Sequence, residues 1–113
     1  MRLPAKIKFE RATHPDWLPA EGYPVGPLVC SKINNEWGLL HTETGMLFFY
    51  YPTLARAMAE ANKCAHWPIW SKVTRKSKRS SPGDISQPED FGKKLYALAR
   101  KYRLEFGRRD NPS

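Results

Sequence analysis

Between residues 28 and 51 the apolar side chains fall into three runs of six. Leu28-Val29-Cys30-Ser31-Lys32-Ile33 is followed by the break Asn34-Asn35-Glu36. Trp37-Gly38-Leu39-Leu40-His41-Thr42 is followed by Glu43-Thr44-Gly45, and Met46-Leu47-Phe48-Phe49-Tyr50-Tyr51 ends at Pro52. Short apolar runs bounded by turn formers read as strands. Asn tolerates positive φ, and Gly45 suits the left-handed position of a three-residue hairpin loop. Connections this short join antiparallel neighbours, so the three runs predict a β-meander. In its third strand Met46, Phe48 and Tyr50 are expected on one face and Leu47, Phe49 and Tyr51 on the other. One face meets the helix that follows. The other is either covered by the Pro-rich segment upstream or open as an aromatic platform of the kind that stacks unpaired bases.

After Pro52 the period changes. Thr53 suits an N-cap, and Leu54, Ala57, Met58, Ala61 and Ala65 recur at helical spacing, with Arg56, Glu60 and Lys63 off that stripe and expected in water. Pro68 stops the helix, and His66-Trp67-Pro68-Ile69-Trp70 forms an aromatic knot that closes the core. Upstream, residues 5–10 alternate apolar and charged side chains with period two, as a short half-buried or edge strand does. Pro15, Pro19, Pro24 and Pro27, with Gly22 and Gly26, argue against regular structure between residues 14 and 27. Trp17, Leu18, Tyr23 and Val25 are too apolar for a solvated linker, so an ordered loop packed across the domain is expected there.

Residues 71–81 carry five positive charges, no acid and one apolar side chain, Val73, and Pro82-Gly83 follows. This composition predicts a flexible basic loop over 71–87. Ser86-Gln87-Pro88-Glu89 is a capping-box pattern opening a helix over 88–107, with Phe91, Leu95, Leu98 and Tyr102 as its apolar stripe and Gly107 as its stop. Residues 108–113 are expected to fray. The fold class is therefore α+β: a small antiparallel β-meander of three to four strands, one helix packed on it, and a basic amphipathic C-terminal helix. The 113 residues form a single small domain with an adequate core. Its parts are a strand and Pro-rich ordered loop (1–27), the meander and helix (28–70), the basic loop (71–87) and the C-terminal helix (88–107).

Charge adds what periodicity lacks. Residues 1–71 carry seven basic and six acidic side chains, whereas residues 72–113 carry twelve and five. So polarised an excess points to an anionic partner, either nucleic acid or an acidic protein surface. The phosphate-contacting candidates are Lys72, Arg75, Lys76, Lys78 and Arg79 of the loop and Lys93, Lys94, Arg100, Lys101 and Arg103 of the helix. Base readout, if any, falls to Asn34, Asn35, Arg56 or the outer row of the second helix. The alternative is a protein-binding inhibitor or adaptor, of the phage or plasmid type, with Trp17, Tyr23, Trp67 and Trp70 as anchors and the basic helix steering association. Homodimerisation through a sheet edge or the second helix is compatible with both.

Titratable groups do not converge in the linear pattern. His14, His41 and His66 lie in unrelated contexts, no serine occupies a Gly-x-Ser-x-Gly elbow, and no Gly-rich phosphate loop occurs. Cys30, Cys64, His41 and His66 match no usual zinc spacing, and Cys64 with either histidine lacks a nucleophile signature. The expectation is a non-enzymatic protein without metal or cofactor. Cys30 and Cys64 sit inside apolar patterns as small hydrophobes, outside any disulfide framework. No run is long enough for a signal peptide or a membrane span, so a cytoplasmic protein is expected.

Overall fold

The computed structural model describes residues 3–13, 16–76 and 84–103. Strands β1 (Ile7–Ala12), β2 (Trp17–Val25), β3 (Leu28–Ile33), β4 (Glu36–His41) and β5 (Leu47–Tyr51) form one antiparallel sheet in sequence order. Helix α1 (Leu54–Cys64) leads to a 3-10 helix (Pro68–Lys72). Strands β6 (Thr74–Arg75) and β7 (Ile85–Ser86) make a small ribbon, and helix α2 (Phe91–Lys101) follows. The fold is α+β, a five-stranded antiparallel meander with two helices.

The fifth strand comes from the segment expected to be an irregular loop. Proline lacks an N–H for a ladder, which confines it to places where one side of a strand is open. β2 supplies such places because it changes partner along its length. It pairs with β1 from Ile7↔Gly22 to Ala12↔Trp17, and with β3 only from Tyr23↔Cys30 to Val25↔Leu28. Each half has one side without a strand, so Pro19 and Pro24 are tolerated. The change of partner falls at Gly22, where a Cβ would lie 2.5 Å from the Cys30 carbonyl oxygen and 2.7 Å from Val29 Cγ2. Beyond it, the Ser31 hydroxyl donates to the Glu21 carbonyl at 2.8 Å and ties the diverging strands.

This bend curls the sheet. The Ala12 N–H reaches the Gly45 carbonyl in the β4–β5 turn at 2.9 Å. Inside the curl Phe9, Val29, Ile33 and Leu40 are buried, with Ile7, Ala20, Leu47 and Tyr50 against them. β1 and β2 therefore cover the second face of the sheet. The strict alternation expected along the third run also fails, for a local reason. Leu39 pairs with Phe49 but Leu40 pairs with Leu47, leaving Phe48 as an extra residue in a bulge. A bulge shifts the inward register by one. Phe48 thus joins Phe49 and Tyr51 on the helix side, while Leu47 and Tyr50 face the curl.

On the helix side, Ala57, Met58, Ala61 and Cys64 of α1 pack on Leu28, Cys30, Leu39, Phe49 and Tyr51. Thr53 caps α1, its hydroxyl accepting from the Arg56 N–H at 3.2 Å. Glu60, expected in water, is only 3% exposed. The small side chains on its helix let α1 lie close to the sheet, and Arg56 (3.6 Å) and Lys63 (3.3 Å) neutralise its carboxylate from the same helix.

The basic loop is partly structured. Val73 is fully buried, holding the chain after the 3-10 helix against the core before β6 pairs with β7. Residues 77–83 lie outside the described residues. The capping box does not form, because Ser86 is committed to β7 opposite Thr74. α2 begins instead after Asp90, which takes a left-handed conformation, with the Phe91 N–H donating to the Pro88 carbonyl at 3.1 Å. Phe91, Leu95 and Ala99 are its buried residues, and Tyr102 is exposed rather than on the buried stripe. The helix ends at Lys101; Gly107, its expected stop, lies outside the described residues.

Two glycines test this geometry in opposite directions. Gly45 has φ +70°, and a Cβ there would press on the Glu10 carbonyl oxygen, so Gly45→Ala is expected to lower the unfolding free energy by about 1–3 kcal/mol. A Cβ at Gly92 meets nothing within 4 Å, so Gly92→Ala is expected to raise it by up to about 1 kcal/mol. Urea denaturation of both variants measures the two changes.

Candidate functional site

Three of the predicted basic residues come together. Lys72 lies at the end of the 3-10 helix, and Lys94 and Lys101 lie seven residues apart on α2, hence on one stripe two turns in length. All three line one open groove of about 440 Å³ between the 3-10 helix and α2, with a floor of Pro68, Ile69, Pro88, Ala97 and Leu98. None of the three is ion-paired with another described residue. The groove exists because Phe91, Leu95 and Ala99 draw α2 onto the core while Ile69 and Trp70 anchor the 3-10 helix beside it. Lys93 and Arg100 repeat the seven-residue spacing on a neighbouring stripe, and both are exposed. Arg103 is also exposed, just past the helix.

The remaining candidates are placed differently. Arg75 donates to Glu10 Oε1 at 3.0 Å, and its guanidinium lies 3.7 Å from the centroid of the Trp17 ring, so a salt bridge and a cation–π contact commit it. Its side chain is only 19% exposed. Arg75 therefore joins β6 to β1 and β2 instead of facing a phosphate. Lys76 stands 3.6 Å from Asp84 across the ribbon, with both side chains largely in solvent. Lys78 and Arg79 lie outside the described residues.

The four aromatic candidates divide likewise. Trp70 is 1% exposed and Trp67 4%, which removes both from any free surface. Trp70 donates from Nε1 to the Cys64 carbonyl at 2.7 Å and has its ring centroid 6.3 Å from that of Trp67, the planes nearly parallel. The Trp67 Nε1 is buried without a partner among the described residues. Trp17 is half-buried under Arg75. Tyr23 is half-buried beside Trp37, with the Lys6 ammonium 5.5 Å from its centroid.

Of the titratable residues weighed for chemistry, Cys30, Cys64 and His41 are buried, whereas His66 is exposed and His14 lies outside the described residues. Cys30 and Cys64 are fully buried, and burial pushes each thiol up to about 12, so both are protonated at neutral pH. Burial also raises the Tyr51 hydroxyl. Among the described residues, no three His, Cys, Asp or Glu side chains gather where they could hold a metal ion. His41 is buried, with its Nδ1 2.9 Å from Thr44 Oγ1 and a hydrogen bond between its ring and the Trp70 backbone. Burial holds His41 below its ordinary pKa, against the opposing pull of Glu43 and the Trp70 bond.

No helix among the described residues is long and apolar enough to cross a membrane. Comparison with protein-family models, with curated sequences and with solved structures finds no match to this chain. Lys6, Arg11, Lys32 and Trp37 share a second cleft that sequence reasoning missed. Nothing in the linear pattern could have grouped them, because they come from separate strands and the segment before β1, and meet only where β2 bends.

Two measurements separate structural from surface charge. Arg75→Gln is expected to cost about 1–2 kcal/mol of stability, the sum of an ordinary ion pair and a cation–π contact, and to leave affinity for any polyanion unchanged. Thermal melts and binding titrations on one preparation check both halves. For His41, the folded pKa lies below the unfolded value of 6.5. Stability is therefore full above pH 6.5 and is lost as pH falls through that value toward the folded pKa. The loss between about pH 6.5 and 5, above the carboxylate range, should vanish in His41→Gln when unfolding free energies are measured across pH.

Proposed function

We propose that this chain is a non-enzymatic nucleic-acid-binding protein in which a basic, amphipathic α2 and the end of the 3-10 helix supply the phosphate contacts. The observation that carries the reading is the convergence on one groove of Lys72 with Lys94 and Lys101 from a separate helix, none of them ion-paired with another described residue. Lys93, Arg100 and Arg103 extend the field over the adjoining surface, and Lys76 adds to it on the ribbon. Phosphate contacts of this kind supply affinity and register without sequence information.

A second reading, a protein that docks on an acidic partner, is favoured by the apolar floor of the same groove. An apolar floor with a lysine rim also suits a segment that combines acidic and apolar side chains.

Fluorescence anisotropy against duplex and single-stranded DNA and structured RNA tests the first reading. Lys94→Glu with Lys101→Glu is expected to weaken binding tenfold or more, and to reduce the salt slope by about 2, since each lost phosphate contact removes roughly 0.9. An unchanged affinity and slope would show that the groove is not the site. Ala97→Lys distinguishes the two readings: another cation on the floor strengthens nucleic-acid binding and blocks an apolar anchor.

A further inference from the structure

The sheet opens where β2 changes partner. Past the pair Tyr23↔Cys30, β2 follows β1 and leaves β3, so residues 31–33 have a strand on one side only. A cleft of about 310 Å³ fills the divergence, at the lower end of the roughly 300–1,000 Å³ typical of small-molecule sites. Its walls carry three cations, Lys6, Arg11 and Lys32, against one carboxylate, Glu21. They also carry two half-buried rings, Tyr23 and Trp37, with centroids 6.3 Å apart. None of the three cations is ion-paired with another described residue.

Composition does not explain this cluster. The first 71 residues are close to neutral, so three cations on one cleft, none with an ion-pair partner among the described residues, are a local concentration created by the bend. Cations alone would suit any anion. Placed beside aromatic rings in a narrow cleft they suit an anion that also carries a flat ring, since a base stacks on the ring while its phosphate meets the lysines. An acidic peptide would satisfy the charges but leave the rings unused.

We propose that this cleft binds a nucleotide unit, its base on Trp37 and its phosphate at Lys6, Arg11 and Lys32. Combined with the α2 groove, and resting on that reading, the occupant is an unpaired nucleotide of a single strand. Bases inside a duplex are stacked and cannot enter a cleft between two strands of a sheet.

The test titrates the full chain with an oligothymidylate of about 12 nucleotides and with a duplex of equal length, within the range of single-strand site sizes. Tryptophan fluorescence follows thymidine monophosphate and, as a charge-matched control, an oligoglutamate peptide. Lys6→Glu with Lys32→Glu alters two exposed side chains, and its folding is verified by its melting temperature. It is expected to weaken the single strand about tenfold and the duplex less than about twofold, whereas Lys94→Glu with Lys101→Glu weakens both. Trp37→Phe keeps a stacking ring and should hold single-strand affinity within about threefold while abolishing the fluorescence response.

If the cleft variant weakens both polymers equally, or neither, the cleft proposal is wrong and the groove reading stands. If the native chain binds neither polymer, the groove reading is wrong. In that case quenching by the monophosphate, lost in the cleft variant, keeps the cleft as a site for a free nucleotide, and no quenching overturns it as well. An equal response to oligoglutamate would overturn the role assigned to the base.

Discussion

The burial of Trp70 holds the molecule together. Its indole lies where the sheet, α1 and α2 meet, with ring contacts to His41 at the end of β4, Phe48 in the β5 bulge, Trp67 beyond α1 and Phe91 at the start of α2. Its one polar atom is satisfied by the Cys64 carbonyl at the end of α1, so the ring enters the core without an unpaired donor. A side chain this large, buried against four elements, is more than a spacer. It sets the place of the 3-10 helix, and through it the height at which α2 docks.

The Phe48 bulge belongs to the same constraint. Regular alternation would direct Phe48 into the curl of the sheet, and the extra residue turns it toward Trp70 and Phe91 instead. At the other end, the partner change in β2 has two consequences from one bend. It folds β1 over the second face, enclosing Phe9, Val29, Ile33 and Leu40, and it parts β2 from β3. The curl that completes one core thus opens a cleft beside it.

Charge is distributed on this frame according to what the frame leaves exposed. Glu60 and Arg75 are drawn into structural contacts because their backbone positions face packed neighbours. Lys72, Lys94 and Lys101 extend from the rim of packed elements, exposed around the open apolar floor. Their convergence follows from hydrophobic docking of α2, since like charges do not attract one another. A cationic surface assembled in this way is suited to an anionic partner.

Much of the architecture was legible in local pattern. β3, β4, β5 and α1 were readable because alternation, turn residues and the Thr53 cap act over a few neighbouring residues. The same holds for the positive charge of residues 72–113. The strand β2 was hidden by Pro19 and Pro24, whose cost depends on whether the adjoining edge is paired, a property of other segments. Ser86 shows the same limit, since its capping pattern is sound locally and is overridden by pairing with Thr74. Of the candidate site, local pattern specifies only which side chains are basic or aromatic. Tertiary structure decided that Trp67 and Trp70 are core, that Arg75 is engaged, that three lysines share a groove, and that Lys6, Arg11, Lys32 and Trp37 meet at all. Those outcomes depend on burial and on contacts between segments far apart in the chain, which no local pattern encodes.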